Sequence, residues 1–258
     1  MSDHLIFETK GQAGYITFNR PEKLNVLDIA LLKELDSLIL QMYERDDLRV
    51  LVLTGAGEKA FSAGADIEAF SKQDRETVRD LWVPLGHRVL DGLQRIPQVT
   101  IAALNGSAFG GGLELALACD LRVAVSGKQF ALPELGLGTT PGWGGTSRIV
   151  DAVGLSRSRY LILTGTRITS EQALEWGLIH EIYDQSHFDA GLRQLLEKIL
   201  SSSPTALKLA KKLLNAGGEG IQSEILESLS ASVSATTDDL REGIQAFKEK
   251  RKPKFGGN

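Results

Sequence analysis

A tract of three glycines stands between a β-like segment and a helical one near the middle of the chain. The β-like segment is Val99–Leu104, the glycines are Gly110, Gly111 and Gly112, and the helical segment opens with Glu114. Glycines let a backbone come close to a ligand because they lack a Cβ, and a helix start presents unpaired N–H groups. The sequence therefore predicts a strand–turn–helix unit whose turn can hold an anionic or polarised oxygen.

Strand-like and helical segments alternate through most of the chain. Residues 5–9 and 15–18 are short alternating runs that predict a hairpin. Residues 29–44 follow a capping Asp28 and carry apolar side chains on one helical face. Residues 50–54 form a continuous apolar run, which is typical of a buried parallel strand. These segments indicate an α/β core.

Later segments extend this core and then become entirely helical. We predict helices over 75–94 and 113–119, strands over 121–125, 130–131 and 179–183, and helix starts at Leu155 and at Thr169. Four further helices are predicted over 188–201, 204–215, 221–236 and 240–250. We place a domain boundary near Ser201, so that residues 1–200 form the core and residues 201–258 form a helical region.

The helical tail is too small to bury its own apolar surface. Fewer than sixty residues follow Ser203, and several amphipathic helices share them. We therefore expect this region to meet another subunit and to form an oligomer. A monomer with the tail folded over its own core is the alternative.

Composition and charge exclude several classes of function. The net charge is −4, which gives no sequence-independent attraction for nucleic acid or an anionic membrane. No apolar run approaches the ~20 residues needed to span a bilayer, and residues 1–10 do not resemble a secretory leader. We expect a cytoplasmic protein that binds neither nucleic acid nor membrane.

Cysteine and histidine usage gives no sign of a disulfide or a metal site. Cys119 is the single cysteine and lies in an apolar stretch, so we expect a small buried side chain. The four histidines are far apart and match no metal-ligand spacing. We therefore assign no metal.

Six stretches of the chain resemble signatures of one family. They are 20–25 (RPEKLN), 61–67 (FSAGADI), 105–116 (NGSAFGGGLELA), 133–148 (with PE, GLG and PGWGGTSR), 238–243 (DDLREG) and 247–251 (FKEKR). In order and spacing they are similar to the crotonase (enoyl-CoA hydratase/isomerase) family over nearly the whole chain. The resemblance implies an α/β spiral of ββα units and a helical C-terminal region that forms trimers, often paired as hexamers. It also implies an acyl-coenzyme A substrate, with no metal or redox cofactor.

The resemblance assigns a catalytic role to four residues. The backbone N–H groups of Ala65 and Gly111 would form an oxyanion hole for the thioester carbonyl. Glu114 would orient and activate water, and Glu134 would supply the proton to Cα. Each acid also has a simpler interpretation, because a helix dipole favours Glu114 in a first turn and Glu134 could be a solvated loop carboxylate.

Further residues are assigned to binding of the acyl-coenzyme A by the same resemblance. They are Lys23, Leu24, Ala63, Asp66, Ile67, Gly110, Trp143, Phe247 and Lys250. Asp66 could instead order its own loop, and Trp143 could pack in the core rather than line the acyl pocket. Phe247 could likewise serve core packing, and Lys250 belongs to a basic C-terminal cluster that could simply be solvated.

Together these assignments predict an enoyl-CoA hydratase, which adds water to trans-2-enoyl-CoA in the syn sense and gives 3-hydroxyacyl-CoA. The alternatives within the family are an enoyl-CoA isomerase and a specialised 3-hydroxyacyl-CoA dehydratase. A non-catalytic or RNA-binding relative is disfavoured by the acidic net charge. Thr139 and Thr140 stand where relatives tend to carry an apolar residue, so the preferred acyl chain stays open.

Overall fold

The computed structural model describes residues 3–217 and 221–257. Within these ranges the strands are β1 Leu5–Lys10, β2 Ala13–Phe18, β3 Val50–Gly55, β4 Ala60–Ser62, β5 Val99–Leu104, β6 Ser107–Phe109, β7 Leu121–Val125, β8 Gln129–Ala131, β9 Ile168–Thr169 and β10 Glu181–Tyr183. The α-helices there are α1 Ile29–Met42, α2 Ile67–Phe70, α3 Arg75–Thr77, α4 Val83–Arg95, α5 Gly111–Leu117, α6 Gly145–Thr164, α7 Ser170–Glu175, α8 Phe188–Leu200, α9 Pro204–Ala216, α10 Ile221–Ala235 and α11 Asp238–Glu249.

The described strands form two sheets. The larger sheet has the order β1-β2-β3-β5-β7-β10, and the smaller has the order β4-β6-β8-β9. In the larger sheet β1 and β2 form the predicted antiparallel hairpin, whereas β2, β3, β5, β7 and β10 pair in parallel. Strands of the two sheets alternate along the chain, since β4 follows β3, β6 follows β5 and β8 follows β7. The expected α/β core is therefore confirmed.

The strand β3 is apolar throughout because both of its faces are buried. Leu51 and Leu53 belong to the main core, which also contains the apolar faces of α1 and α4. Val50 and Val52, which point to the opposite face, pack in a second cluster that α8 covers. Side chains alternate across a strand, so a strand between two layers needs an unbroken apolar run.

The predicted helical stretch over 75–94 is confirmed, because residues 75–95 are helical throughout, but it is not one regular α-helix. The structure has the short helix α3, then a π-helical turn over Val78–Trp82, then α4. Pro84 is the cause, since it has no N–H and its ring clashes with the carbonyl four residues earlier. The preceding Val83 N–H bonds instead to the Val78 carbonyl, five residues back.

The helix expected to start at Leu155 is confirmed, because helical backbone angles are interrupted at Gly154 and resume at the next residue. It is the second half of α6, which runs from Gly145 and is kinked at Gly154, where φ is +77°. The start at Thr169 is confirmed, because its side chain accepts from the Gln172 N–H and the Gln172 side chain accepts from the Thr169 N–H. This reciprocal pair is a capping box.

The predicted helical tail is present as α9, α10 and α11. Several large apolar side chains stay exposed on it in the single chain, including Leu214 at 83%, Ile221 at 76% and Phe247 at 86%.

Cys119 is buried, as expected. No helix within the described ranges combines the length and the apolar character needed to cross a membrane. The position of the domain boundary at Ser201 stays a prediction.

Candidate active site

A cavity of about 650 Å³ opens beside the glycine tract. Its walls come from the loop after β4, the π-helical turn, the start of α5, and the segments after β8 and before α6. The predicted site residues that line it are Ala63, Ala65, Ile67, Gly110, Gly111, Glu114, Glu134 and Trp143. The fold therefore brings three separate sequence motifs to one cavity.

Glu114 is buried in the first turn of α5 and is held by a loop from elsewhere in the chain. Its Oε1 accepts hydrogen bonds from the N–H of Trp143 at 2.9 Å and from the N–H of Gly145 at 2.8 Å. Burial raises the pKa of Glu114, and these N–H donors oppose that shift. The carboxylate is thus fixed in position at the cavity wall.

Arg148 fixes the loop that holds Glu114. It lies one turn into α6, is buried, and its Nη1 donates to the Trp143 carbonyl at 2.9 Å. Its Nη2 pairs with Asp91 of α4, and its Nε donates to Gln94 at 3.2 Å. The loop before α6 is therefore tied to α4 as well as to α5. Arg148 belongs to the motif over 133–148, but its contact with the Trp143 carbonyl could not be predicted from the sequence.

Glu134 has a very different environment. It starts a 3-10 turn over Glu134–Leu137, and both carboxylate oxygens are buried without a hydrogen-bond partner among residues 3–217 and 221–257. Burial, with a smaller contribution from the negative charge of Glu114, raises its pKa from 4.5 to about 7. Buried polar atoms without a partner are uncommon in folded proteins. Such a group at a cavity wall is suited to bind a ligand or exchange a proton with it.

The two expected oxyanion-hole donors lie on adjacent loops. A Cβ placed on Gly64 would come within 2.9 Å of the Gly111 nitrogen. The first loop is fixed by bonds from Leu27 N–H to Gly64 O and from Asp66 N–H to Leu27 O, both 2.8 Å. In the part of the chain that the structure describes, neither the Ala65 N–H nor the Gly111 N–H has an acceptor.

Glycine is required at all three positions of the tract. A Cβ on Gly112 would lie 2.3 Å from the Ser62 backbone oxygen. Gly110 has φ +50°, and a Cβ there would lie 3.0 Å from Glu134 Oε1. A Cβ on Gly111 would lie 2.3 Å from Cζ3 of Trp143. The Glu134 carboxylate and the Trp143 indole therefore pack directly on the backbone of Gly110 and Gly111.

Asp66 orders its loop, which was one of its two sequence interpretations. Its side chain caps α2 by accepting from the Ala69 N–H at 3.1 Å. It also forms ion pairs with Arg20 at 3.3 Å and Lys23 at 3.8 Å. Asp66 and Lys23 thus lie beside the cavity loop but do not line the cavity.

The remaining predicted residues lie outside this cavity in the single chain. Leu24 has φ +55° and lines a smaller hollow of about 230 Å³ with Pro21 and Lys59. Phe247 projects from α11 into solvent, and Lys250 ends that helix. Roles for Phe247 and Lys250 in binding the acyl-coenzyme A stay predictions.

The apolar wall of the cavity was not identified from the sequence. It contains Phe70, Val78, Trp82, Val83 and Leu137. Val78 and Trp82 come from the π-helical turn, where they stand four residues apart and both line the cavity. No group of three or more His, Cys, Asp or Glu side chains within the described residues is arranged to hold a metal ion.

Comparisons with known proteins agree with these features. The chain is 37% identical to the short-chain-enoyl-CoA hydratase of Clostridium acetobutylicum over 255 residues, which cover 97% of this chain and 96% of that protein. It is 34% identical to the carnitinyl-CoA dehydratase of Salmonella typhi over 265 residues, with 100% of each protein covered. The crystal structure of an enoyl-CoA hydratase from Bacillus anthracis matches with a TM-score of 0.95 at 37% identity, covering 99% of this chain and 100% of that one.

A family model described as enoyl-CoA hydratase/isomerase matches residues 8–258. The match takes in both loops of the expected oxyanion hole, both glutamates and the helical tail. The chain therefore belongs to the enoyl-CoA hydratase/isomerase family.

Proposed function

We propose that this protein is an enoyl-CoA hydratase that adds water to a trans-2-enoyl-CoA. The observation that carries the proposal is the pair of glutamates on one cavity, of which Glu114 is held by two N–H donors and Glu134 has no partner. Two titratable groups in contrasting environments are suited to opposite proton-transfer roles. The relatives named above as hydratases act on substrates of this class.

Water addition needs a base near Cβ and an acid near Cα. In this mechanism Glu114 acts as the carboxylate: the N–H donors oppose the burial that raises its pKa, and it orients the water and takes up one of its protons as oxygen bonds to Cβ. Electron density moves from the double bond to the thioester oxygen, which gives an enolate. Glu134, with a pKa of about 7, then supplies the proton that forms the Cα–H bond. The product is a 3-hydroxyacyl-CoA, and the proton on Glu114 returns to Glu134 through solvent.

The enolate oxygen needs hydrogen-bond donors that are already in place. The N–H groups of Ala65 and Gly111 fill this role in the proposed mechanism. The loss of one such donor in other enzymes costs about 2.7 to 4 kcal/mol of transition-state stabilisation. No metal or redox cofactor is needed for this balance of atoms and electrons.

The same cavity could support a related reaction. Dehydration of a specialised 3-hydroxyacyl-CoA is the reverse chemistry, and one relative is a carnitinyl-CoA dehydratase. Double-bond isomerisation needs the same enolate but no bound water. The fixed position of Glu114 favours hydration, because isomerisation gives no role to a second, firmly held carboxylate.

Product analysis distinguishes these reactions. The purified protein is supplied with crotonyl-CoA and, separately, with a 3-enoyl-CoA. We expect 3-hydroxybutyryl-CoA from the first and little conversion of the second. Rapid conversion of the 3-enoyl-CoA together with no hydration of crotonyl-CoA would replace the hydratase proposal with the isomerase.

The proposal extends to the oligomeric state of the protein and to its location in the cell. The exposed apolar side chains of α9, α10 and α11 support a homotrimer or a hexamer of paired trimers. A neighbouring subunit could then bring Phe247 and Lys250 to an acyl-coenzyme A. The cytoplasmic location, and the absence of nucleic acid and membrane partners, stay predictions.

A further inference from the structure

We propose that Trp143 closes the acyl end of the cavity and restricts the site to short acyl chains. The proposal rests on the function above, because it treats the ligand as an acyl-coenzyme A. Trp143 would then set substrate specificity in addition to its backbone contact with Glu114.

The direction of the acyl chain follows from the chemistry of the cavity walls. The free N–H groups of Ala65 and Gly111 mark the place of the thioester oxygen. The two glutamates mark Cα and Cβ. Beyond them the wall is mostly apolar and is built by Phe70, Val78, Trp82, Val83 and Trp143. The end of the acyl group therefore meets this wall.

The indole of Trp143 spans the gap between two helices at that wall. The six-membered edge of the ring packs on α5, since a Cβ on Gly111 would lie 2.3 Å from Cζ3. The opposite edge packs on α4, since a Cβ on Gly86 would lie 2.0 Å from Cδ1 and 2.2 Å from Nε1. The whole residue is only 2% exposed. A smaller side chain at this position would leave a channel between α4 and α5.

A second indole supports the first. The ring of Trp82 lies 5.8 Å from that of Trp143, centroid to centroid, with a 38° angle between their planes. Trp82 comes from the π-helical turn and is itself buried. The two rings form one continuous apolar surface across the end of the cavity.

The indole is confined by its packing between Gly86 and Gly111, and hydrogen bonds hold the backbone of Trp143. The Trp143 N–H donates to Glu114 at 2.9 Å, and the Trp143 carbonyl accepts from Arg148 at 2.9 Å. Both bonds fix the backbone from which the side chain projects. Trp143 is therefore a fixed wall rather than a gate.

The Trp143 side chain makes no hydrogen bond that a substitution would break. Its Nε1 is buried and has no partner within the described ranges. Replacement by Phe or Leu therefore removes ring volume and no polar contact. This separates the effect of pocket length from an effect on hydrogen bonding.

The test compares short and long acyl chains in wild type, Trp143→Ala and Trp143→Leu. Dissociation constants are measured for butyryl-CoA and decanoyl-CoA, and kcat/KM for crotonyl-CoA and trans-2-decenoyl-CoA. Each result is taken as a long-to-short ratio, so a general loss of activity cancels. Trp176→Ala is the matched control, since Trp176 packs on Tyr160 away from this cavity. Circular dichroism and size-exclusion chromatography establish that each variant is folded.

We expect wild type and Trp176→Ala to favour the short chain in both ratios. Trp143→Ala should raise the long-to-short ratio on the order of tenfold or more, because single methylenes in apolar pockets already discriminate at about that level. Trp143→Leu should move the ratios in the same direction, and it decides the matter if the Ala variant does not fold.

Unchanged ratios in folded Trp143 variants would overturn the proposal, as would a wild type that prefers decanoyl-CoA. The binding ratios do not depend on turnover. If they shift as expected while no enoyl-CoA is hydrated, the pocket-length inference stands and the hydratase proposal fails.

Discussion

At the scale of single residues, the two glutamates differ because different parts of the chain surround them. Glu114 is fixed by the N–H groups of Trp143 and Gly145, just before and at the start of α6, about thirty residues further along. Glu134 sits against the bare Gly110 backbone and has no donor among the described residues. The sequence identified both acids, but their environments depend on how distant loops meet.

Replacement of Glu134 by Gln should stabilise the protein at alkaline pH. The folded-state pKa of about 7 lies above the ordinary value of 4.5, so the folded state binds the proton more tightly. The wild type therefore loses stability as pH rises from about 4.5 to about 7, and Glu134→Gln does not share that loss. At pH 8 we expect a higher melting temperature for the variant, by about 2 to 4 °C for each 1 kcal/mol of relieved burial cost.

The gain should shrink toward pH 4.5, where the carboxyl is neutral in the folded state and only half ionised in the unfolded state. Calorimetry at several pH values provides the measurement. Glu175→Gln, at an exposed position on α7, is the control and should give no comparable pH-dependent gain. A Glu134→Gln advantage that is equal at pH 4.5 and pH 8 would show that burial of the charge is not its source.

At the scale of elements, long periodic segments could be predicted and short ones could not. The amphipathic run of α1 and its Asp28 cap are local properties, and both are confirmed. The strands β4 and β6 have three residues each and owe their pairing to the neighbouring turns of the spiral. The π-helical turn follows from Pro84, but the sequence alone does not show that the helix bends there rather than ending.

The helix α9 is joined to the core by a buried lysine. Lys211 Nζ pairs with Asp120 at 2.7 Å and donates to the Gln98 carbonyl at 2.7 Å. Burial lowers the pKa of Lys211, and Asp120 opposes that shift. Asp120 in turn accepts from the N–H and hydroxyl of Thr100 on β5. This cluster attaches the helical tail to the parallel sheet.

Lys211→Met should therefore lower the free energy of unfolding by about 2 kcal/mol or more, because it leaves Asp120 without its cation. Lys212→Met is the matched control, since Lys212 is the exposed neighbour on the same helix, and should change stability by about 0.5 kcal/mol at most. Denaturant unfolding measures both. Equal stability of the two variants would show that the pair does not hold α9 in place.

At the scale of the whole molecule, the family and the α/β fold expected from the sequence are confirmed. The six matched motifs were informative because they are spread over nearly the full chain, and three of them meet at one cavity. The assembly stays a proposal, because the exposed apolar faces of α10 and α11 favour a partner surface and do not indicate how many copies supply it.

The native protein should behave as a trimer or a hexamer. Light scattering should give a mass three or six times the 28.0 kDa of one chain. Leu229→Glu places a charge on the exposed apolar face of α10 and should shift the protein toward smaller species. Ser228→Glu is the control for the added charge. A wild type that runs as a monomer at micromolar concentration would contradict the proposed assembly.

The most direct test of the central claim is crotonyl-CoA hydration by Glu114→Gln and Glu134→Gln. Each variant keeps the shape of the side chain and removes its acid or base function. We predict that kcat falls by about a hundredfold to ten-thousandfold in each, while the folded oligomer and crotonyl-CoA binding are retained. Hydration at the wild-type rate by either folded variant would contradict the account.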